Sequence, residues 1–100
     1  MNTTIKVFDV IGKNAISMQS GDKIYLLLKK NMKADHKVTL DFSGVSLFAS
    51  PFFNTAIGYL LKDMEIEELQ KQLDFINLDE VGNELLNLVI FNAINYYRKS

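Results

Sequence analysis

The pattern of apolar and polar residues in the first third of the chain predicts one strand followed by one helix. Residues 5–11 are mostly β-branched and partly alternating, which is typical of a strand with one partly solvated face, and Gly12 closes this segment. Residues 18–32 carry apolar side chains at three- and four-residue spacing, which indicates an amphipathic helix with Ser17 as its N-cap. Gly21 lies on the apolar face of this helix, so we expect another segment to approach its backbone closely there.

The middle of the chain predicts a second strand and a second helix. Residues 38–42 form a short, mostly apolar strand, while residues 45–50 are irregular or partly extended. Ser50-Pro51 is a strong helix start, with serine as the N-cap and proline at the first helical position. The dense apolar residues from there to Met64 indicate a helix that is buried over much of its circumference.

The last part of the chain predicts a third strand and a third helix. Residues 65–72 are charged, and they either continue the second helix or form a separate turn. Residues 73–78 resemble a strand, and Asp79-Glu80 then opens the final helix, where acidic groups suit the positive helix end. This helix is expected to run to about Tyr97.

The alternation of three strands with three main helices predicts a small α/β fold with short connections. The sheet is expected to be mostly parallel or mixed, with three to four strands and right-handed crossovers. A short extra strand at residues 14–17 is expected to pair antiparallel with the first strand through a turn at residues 12–14. We expect a single domain over residues 1–100, without a linker.

Composition removes several classes of function. The chain has a formal net charge of −1, so no bulk field indicates nucleic acid or a membrane as a partner. Cysteine is absent, which excludes disulfides, thiol nucleophiles and thiolate metal sites. The one histidine, His36, has no recognisable catalytic or ligating partner nearby, so we interpret it as a solvated loop residue and expect neither metal nor cofactor.

No signal-peptide pattern and no apolar stretch of the ~20 residues that span a bilayer is present, so a cytoplasmic location is expected.

The loop between Asp41 and Ser50 is the first candidate site. It follows the end of the second strand, and open α/β sheets commonly place ligands beyond the carboxyl ends of their strands. Ser50 is a candidate phosphate acceptor at a helix N-terminus. The plainer interpretation is that Ser50 only caps the helix and that Asp41 accepts a hydrogen bond from the turn at Ser43-Gly44.

The last helix is the second candidate site, because it is more apolar than one packed face requires. A surface helix needs roughly a third of its circumference apolar, whereas this helix has well over half. One apolar face carries Val81, Leu85, Leu88, Val89 and Tyr96, and the adjoining face carries Leu86, Ile90, Ala93 and Tyr97. Either the helix is unusually deeply buried, or an extra flank meets a protein partner or a second copy of the chain. We assign that flank to Ile90, Phe91, Ile94 and Tyr97.

Several of these segments resemble one known family. The helix start Ile16-Ser17, the run Val-Thr-Leu-Asp-Phe-Ser-Gly-Val at residues 38–45, and the run Ser-Pro-Phe-Phe-Asn at residues 50–54 look like the STAS-like domains of unassigned function. These domains are small bacterial and phage-associated relatives of the anti-sigma-factor antagonists. The resemblance covers about residues 10–64, and the final strand and helix agree only in pattern.

The resemblance implies a function through protein contacts. In the antagonists, a serine at the start of the helix after this strand is phosphorylated by a histidine-kinase-like ATPase, and phosphorylation breaks their complex. Ser50 falls on that position. The aspartate that precedes the serine in the family is replaced by Ala49, and the usual small, glycine-containing helix entrance is replaced by Pro51-Phe52-Phe53.

We therefore expect a non-catalytic, regulatory protein-interaction module. The candidate partner-binding residues lie in the loop and at the start of the helix after it: Asp41, Ser43, Gly44, Phe48, Ser50, Phe52 and Phe53. The first alternative is a small nucleotide-binding protein or enzyme with a site at the strand ends, near Asp9, Asp41 and Asp79. The second is a structural dimer subunit whose function lies in a fused or neighbouring protein.

Overall fold

A computed structural model describes residues 2–97. Within that range the chain forms five strands, five α-helices and one 3-10 helix. The strands are β1 (Asn2–Lys6), β2 (Asn14–Ala15), β3 (Lys37–Asp41), β4 (Leu47–Phe48) and β5 (Leu73–Ile76). The α-helices are α1 (Val7–Ile11), α2 (Met18–Asn31), α3 (Ser50–Ala56), α4 (Ile66–Gln72) and α5 (Glu80–Tyr97), and the 3-10 helix spans Gly58–Lys62.

The main sheet is parallel, in the order β1-β3-β5, as the alternating sequence pattern predicts. Ile5 of β1 lies beside Leu40 of β3, and Leu40 in turn lies beside Phe75 of β5. Because the strands run in the same direction, their carboxyl ends meet at one edge of the sheet. The loops that follow β1, β3 and β5 therefore lie near one another.

The prediction of a first strand over residues 5–11 is wrong in its extent. The strand ends at Lys6, which pairs with Asp41, the last residue of β3. Since β3 offers no pairing partner beyond that point, the next residues close a short helix, α1, which buries Val7 and leaves Phe8 exposed. A β-branched run cannot by itself distinguish these two outcomes.

The predicted antiparallel pairing of the extra strand is also wrong. β2 pairs in parallel with β4 in a separate two-stranded sheet, with Ala15 beside Phe48. The carbonyl group of Lys13 accepts hydrogen bonds from the backbone N–H groups of Ser46 and Leu47, at 2.9 and 3.3 Å. The intervening helix α1 directs the chain away from β1, so residues 12–14 do not form a hairpin turn.

The start of α2 is as predicted. The Ser17 hydroxyl accepts a hydrogen bond from the backbone N–H of Ser20, at 3.1 Å, which is an N-cap bond. Gly21 allows the close approach that its position predicts, because a Cβ atom there would lie 2.5 Å from the carbonyl oxygen of Phe52. α2 and α3 therefore pack with their backbones nearly in contact.

The predicted second helix divides into separate pieces. α3 ends at Ala56, and the chain continues as a 3-10 helix in which the backbone N–H of Leu60 donates to the carbonyl of Ile57, at 3.0 Å. Of the two options for the charged residues after it, the separate element is the one that forms. Glu65 and Glu68 make a capping box that begins α4 as an independent helix.

The core lies between the main sheet and the helices, and its largest members are aromatic. Phe42, Phe48, Phe53 and Phe75 are linked by ring contacts with centroids 5.9 to 6.5 Å apart. α3 packs against both α2 and α5, so it is enclosed by neighbours. Among the described residues, no helix combines the length and apolar character that a membrane crossing needs.

Candidate functional site

The side chain of Asp41 links two loops by hydrogen bonds at the carboxyl edge of the main sheet. Its carboxylate accepts hydrogen bonds from the backbone N–H of Ser43 and from the side-chain amide of Asn77, both at 2.9 Å. The bond from Asn77 is the main reason that the pKa of Asp41 lies below its ordinary value of 3.8, and the bond from Ser43 adds to it. Asn77 has a left-handed backbone with φ 59°, which asparagine tolerates better than most residues.

The same edge carries a small open cavity of ≈ 240 Å³. It is lined by Lys6, Phe8, Asp9, Asp41 and Ser43. Two of the three aspartates expected at the strand ends thus meet there. This volume is below the ~300 Å³ at which small-molecule pockets typically begin.

Asp79, the third aspartate, has a structural role instead. Its carboxylate accepts a hydrogen bond from the backbone N–H of Gly82, at 2.7 Å, and so caps α5. Within residues 2–97, no group of three His, Cys, Asp or Glu side chains is placed to hold a metal ion.

Gly44 lies under an exposed aromatic ring. Its φ of 87° is a left-handed conformation that favours glycine, and a Cβ atom there would lie 3.0 Å from the ring of Phe8. Phe8 itself is 45% exposed. Phe8 therefore covers the loop backbone while leaving much of its own apolar surface in solvent.

Ser50 is not the N-cap that the sequence pattern predicts. Ala49 occupies the cap position, and Ser50 is the first helical residue. Ala49 is held extended because its backbone N–H donates to the carbonyl of Ala15, at 3.0 Å, which continues the β2–β4 pairing. The half-buried Ser50 hydroxyl has no hydrogen-bond partner within the part of the chain that the structure describes.

Phe52 and Phe53, predicted as partner-binding residues, are fully buried, so that prediction is wrong. Phe52 contacts Phe53 edge-on at 5.1 Å between ring centroids. Phe48 is half-buried and stacks on Phe53, at 5.9 Å and an interplanar angle of 9°. These rings fill the core because α3 lies between α2 and α5, and only Pro51 and Asn54 of this helix are exposed.

The exposed apolar residues next to Ser50 come from positions that were not among the predicted partner-binding residues. Ile16, Met18 and Leu47 are 40%, 55% and 55% exposed. Met18 and the exposed Pro51 line one shallow cavity, and β2–β4 pairing carries Leu47 to the same end of the molecule. We call Ile16, Met18, Leu47 and Pro51 the helix-start surface, because they surround the starts of α2 and α3. Only the pairing of two distant two-residue strands brings them together, so the sequence carries no local signal for this surface.

The flank predicted on the C-terminal helix is only partly in solvent. Ile90, Ile94 and Tyr97 are half-buried and pack against the core, whereas Phe91 is 63% exposed, and the contact of this flank with a partner or a second copy stays a prediction. The other outward apolar residues of this helix are Val81, Leu88 and Tyr96. The buried side of α5 carries Gly82, Leu86, Val89 and Ala93, and Gly58 of the 3-10 helix faces it, because a Cβ atom at Gly58 would lie 3.6 Å from the Val89 side chain and 3.9 Å from that of Ala93.

His36 is not simply a solvated loop residue. It is half-buried, and its Nε2 atom lies 2.6 Å from the Thr3 hydroxyl in a hydrogen bond. This bond ties the loop before β3 to the neighbouring strand β1, so the histidine has a structural partner.

Comparison with known proteins gives one match. The model of a family described as STAS-like domain of unknown function (DUF4325) matches residues 20–83, which is more than half of the chain. No curated protein and no solved structure matches the chain. The matched segment contains α2 from Ser20 onward, the whole of β3 to β5 and the start of α5, and therefore includes the loop from Asp41 to Ser50.

Proposed function

Since the chain belongs to the family of STAS-like domains of unknown function, we propose that it is a non-catalytic, regulatory module that binds a protein partner. The partner class is the one that the sequence resemblance implies, a histidine-kinase-like ATPase. The proposed contact is the helix-start surface together with the loop from Asp41 to Ser50.

The observation that carries this proposal is the exposed apolar character of the helix-start surface. Ile16, Met18 and Leu47 keep 40% to 55% of their surface in solvent at the point where α2 and α3 begin. Apolar side chains grouped in this way lose contact with water when a partner covers them, which favours association. The adjoining loop is held in a defined conformation by the hydrogen bonds of Asp41, so little ordering is needed on binding.

Phosphorylation of Ser50 would regulate this contact. It lies at the start of α3 beside Pro51, and its hydroxyl is not engaged in capping the helix. A phosphate at this position would add a charge of roughly −1.5 to −2 next to apolar side chains that are proposed to meet the partner. Phosphorylation is therefore expected to weaken the complex.

The binding experiment measures the affinity of the chain for a purified histidine-kinase-like ATPase from the same organism. The double variant Met18→Glu, Leu47→Glu is expected to weaken binding at least about tenfold, because it places charge on the proposed contact. Leu26→Glu is the matched control, since Leu26 is 58% exposed on the same helix as Met18 but lies more than two turns further along α2. Equal losses in both variants, or no loss in the double variant, would contradict the proposal.

A second measurement addresses Ser50. Co-expression with the ATPase should add the mass of one phosphate to the intact chain, and Ser50→Ala should remove that addition. If the chain binds the ATPase but stays unmodified, the proposed contact is supported and its regulation by Ser50 phosphorylation is refuted.

A ligand screen separates the proposal from a small nucleotide-binding protein or enzyme. The cavity of ≈ 240 Å³ at Lys6, Asp9 and Asp41 is the place where such a ligand would bind. We expect nucleotides and divalent metals to leave the melting temperature of the chain unchanged. A rise of several degrees with one ligand, abolished in Asp41→Ala, would overturn the interaction-module proposal in favour of that alternative.

A further inference from the structure

An open groove of ≈ 490 Å³ lies at one edge of the main sheet, where β5, α4 and α5 line it. Its floor is apolar and buried, and consists of Leu69, Leu73 and Leu86. Its rim is exposed and polar, and consists of Gln70, Asp74, Asn83 and Asn87. Binding grooves typically have volumes of about 300–1,000 Å³, an apolar lining and a few polar groups. We call this feature the β5 groove, and it shares no residue with the helix-start surface.

The backbone of β5 has hydrogen-bonding groups that point out of the sheet toward this groove. β5 is an edge strand, and its Ile76 carbonyl accepts a hydrogen bond from the backbone N–H of Phe42 in the chain after β3, at 3.0 Å. Because the peptide groups of successive strand residues alternate in direction, the N–H and carbonyl groups of Phe75 face away from β3. Within residues 2–97, neither of these two groups has a hydrogen-bond partner.

We propose that the β5 groove binds an extended segment of a partner protein, which joins the main sheet as a strand beside β5. An unpaired strand edge is a template for another strand, and main-chain hydrogen bonds give such a contact its affinity. β5 has four residues, so the added strand pairs over about four residues, or about 13 Å.

The lining of the groove defines the chemistry of this segment. Among the described lining residues, only Asp74 is charged, and its carboxylate pairs with the Lys37 ammonium group at 3.2 Å. The side-chain amides of Gln70 and Asn87 have no hydrogen-bond partner within the described part of the chain, so they can bond the backbone of the segment. The apolar floor accepts side chains from one face of a strand. The segment therefore alternates apolar with polar residues and carries no cluster of charge.

The position of β5 disfavours a second copy of the chain as the occupant. The edge of β5 lies between α4 and α5, so these helices stand in the way of an edge-to-edge pair of two β5 strands. The backbone N–H of Leu73 is also engaged, because it donates to the Leu69 carbonyl at the end of α4. A segment without flanking helices has neither restriction.

The first test uses peptides selected from a display library of random heptapeptides against the full chain. We expect enriched peptides in which apolar and polar residues alternate. N-methylation of a peptide amide that faces β5 should weaken binding at least about tenfold, whereas methylation of the next amide, which faces away, should not. In hydrogen exchange the Phe75 amide should gain protection in the complex. The amides of Asp74 and Ile76 should change little, because they already face β3.

The second test locates the bound peptide on the protein. Asn87→Trp places a large side chain at the rim of the groove and is expected to weaken binding at least about tenfold. Asn95→Trp is the matched control, since it alters an exposed asparagine of the same helix outside the groove, and it should bind like the wild type. The double variant Met18→Glu, Leu47→Glu of the helix-start surface should also bind the peptide normally. Circular dichroism spectra identical to that of the wild type would establish that the variants are folded.

Several outcomes would overturn the proposal. They are the absence of any enriched peptide, binding that tolerates methylation at every amide, and equal binding to Asn87→Trp and the wild type. A loss confined to the helix-start variant would assign the peptides to that surface instead. A dimer of the free chain, detected by light scattering and lost in Asn87→Trp, would identify a second copy as the occupant.

Discussion

α3 and α5 both carry more apolar residues than one packed face needs, yet the fold treats the two helices differently. α3 lies between α2 and α5, and Phe52, Phe53 and Ala56 are fully buried there. α5 lies at the outside, buries a narrow side built on Gly82, Leu86, Val89 and Ala93, and leaves two aromatic side chains largely in solvent. The same sequence signal thus describes a central helix in one case and a half-covered helix in the other.

This difference shows that an apolar surplus in the sequence of a helix does not say whether other elements of the chain cover it. For α3 the covering helices belong to the same chain, whereas Leu88 and Phe91 of α5 are left exposed by the described residues. The four predictions that follow compare the two helices, from the largest expected effect to the smallest.

Removal of an aromatic ring is expected to give the largest difference in stability between a variant of α3 and a variant of α5. Phe53→Ala empties a fully buried site that contacts Phe42, Phe48 and Phe52, so it is expected to lower the free energy of unfolding by about 3–5 kcal/mol. Phe91→Ala removes the same ring from an exposed position of α5, and the expected change is within about 0.5 kcal/mol. Urea unfolding at a protein concentration low enough to keep the chain monomeric measures both. Similar losses in the two variants would show that α5 is covered within the monomer.

Glycine-to-alanine substitutions in neighbouring helices test how closely those helices pack on α3 and on α5. In Gly21→Ala the new Cβ would lie 2.5 Å from the Phe52 carbonyl oxygen of α3, and the expected cost is roughly 1–3 kcal/mol, which outweighs any gain in helix propensity. Gly58→Ala places its Cβ 3.6 Å from the Val89 side chain of α5, an ordinary contact distance, so little change is expected. Thermal unfolding of both variants checks this. A neutral Gly21→Ala would contradict the close packing of α2 on α3.

Substitutions at the starts of α5 and α3 should also have different effects on stability. Asp79→Ala removes the side-chain cap of α5 and is expected to cost about 1 kcal/mol, and Asp79→Asn should recover most of it. Ser50→Ala should change stability by less than about 0.5 kcal/mol, because Ser50 lies inside the first turn of α3 and does not cap it. Denaturant midpoints of the three variants measure the difference. A loss at Ser50 equal to that at Asp79 would restore the capping interpretation of the serine.

The smallest effect concerns the end of α5 at high pH. Burial raises the pKa of Tyr97 above its ordinary value of 10.0, and nearby tyrosines add to the shift. Because the folded state favours the neutral phenol, this contribution to stability is complete below pH 10 and is lost as the pH rises through the folded pKa. Tyr97→Phe should therefore reduce the loss of stability at alkaline pH, as measured by thermal unfolding over a range of pH. An alkaline loss of stability that is unchanged in Tyr97→Phe would show that burial does not favour the neutral phenol of Tyr97.

Much of the fold was predictable because the relevant signals are local. The cap at Ser17, the approach at Gly21 and the start of α5 at Asp79-Glu80 follow from residue type and position. The parallel order β1-β3-β5 follows from the alternation of strands and helices. The division of the second helix at Ile57 and the helical turn at residues 7–11 were not predictable in this way, because pairing and packing partners decided them.

The candidate sites were less predictable than the fold. Asp41 was identified by its place at a strand end, but its partner Asn77 comes from a loop far away in sequence. Phe52 and Phe53 are predicted partner-binding residues but lie in the core, while Ile16 and Leu47 are not among the predicted partner-binding residues but are exposed. On α5, Phe91 of the predicted flank is largely exposed, while Ile90, Ile94 and Tyr97 are half-buried against the core, because their exposure depends on which elements pack beside the helix.

The sequence by itself determined the type and order of the main elements and the surplus of apolar side chains in two helices. It did so because caps, turns and periodicity act between residues that are neighbours along the chain. Only the tertiary structure decided which surplus lies inside. The burial of a side chain depends on what packs over it, and for α3 the covering helices α2 and α5 come from opposite ends of the chain.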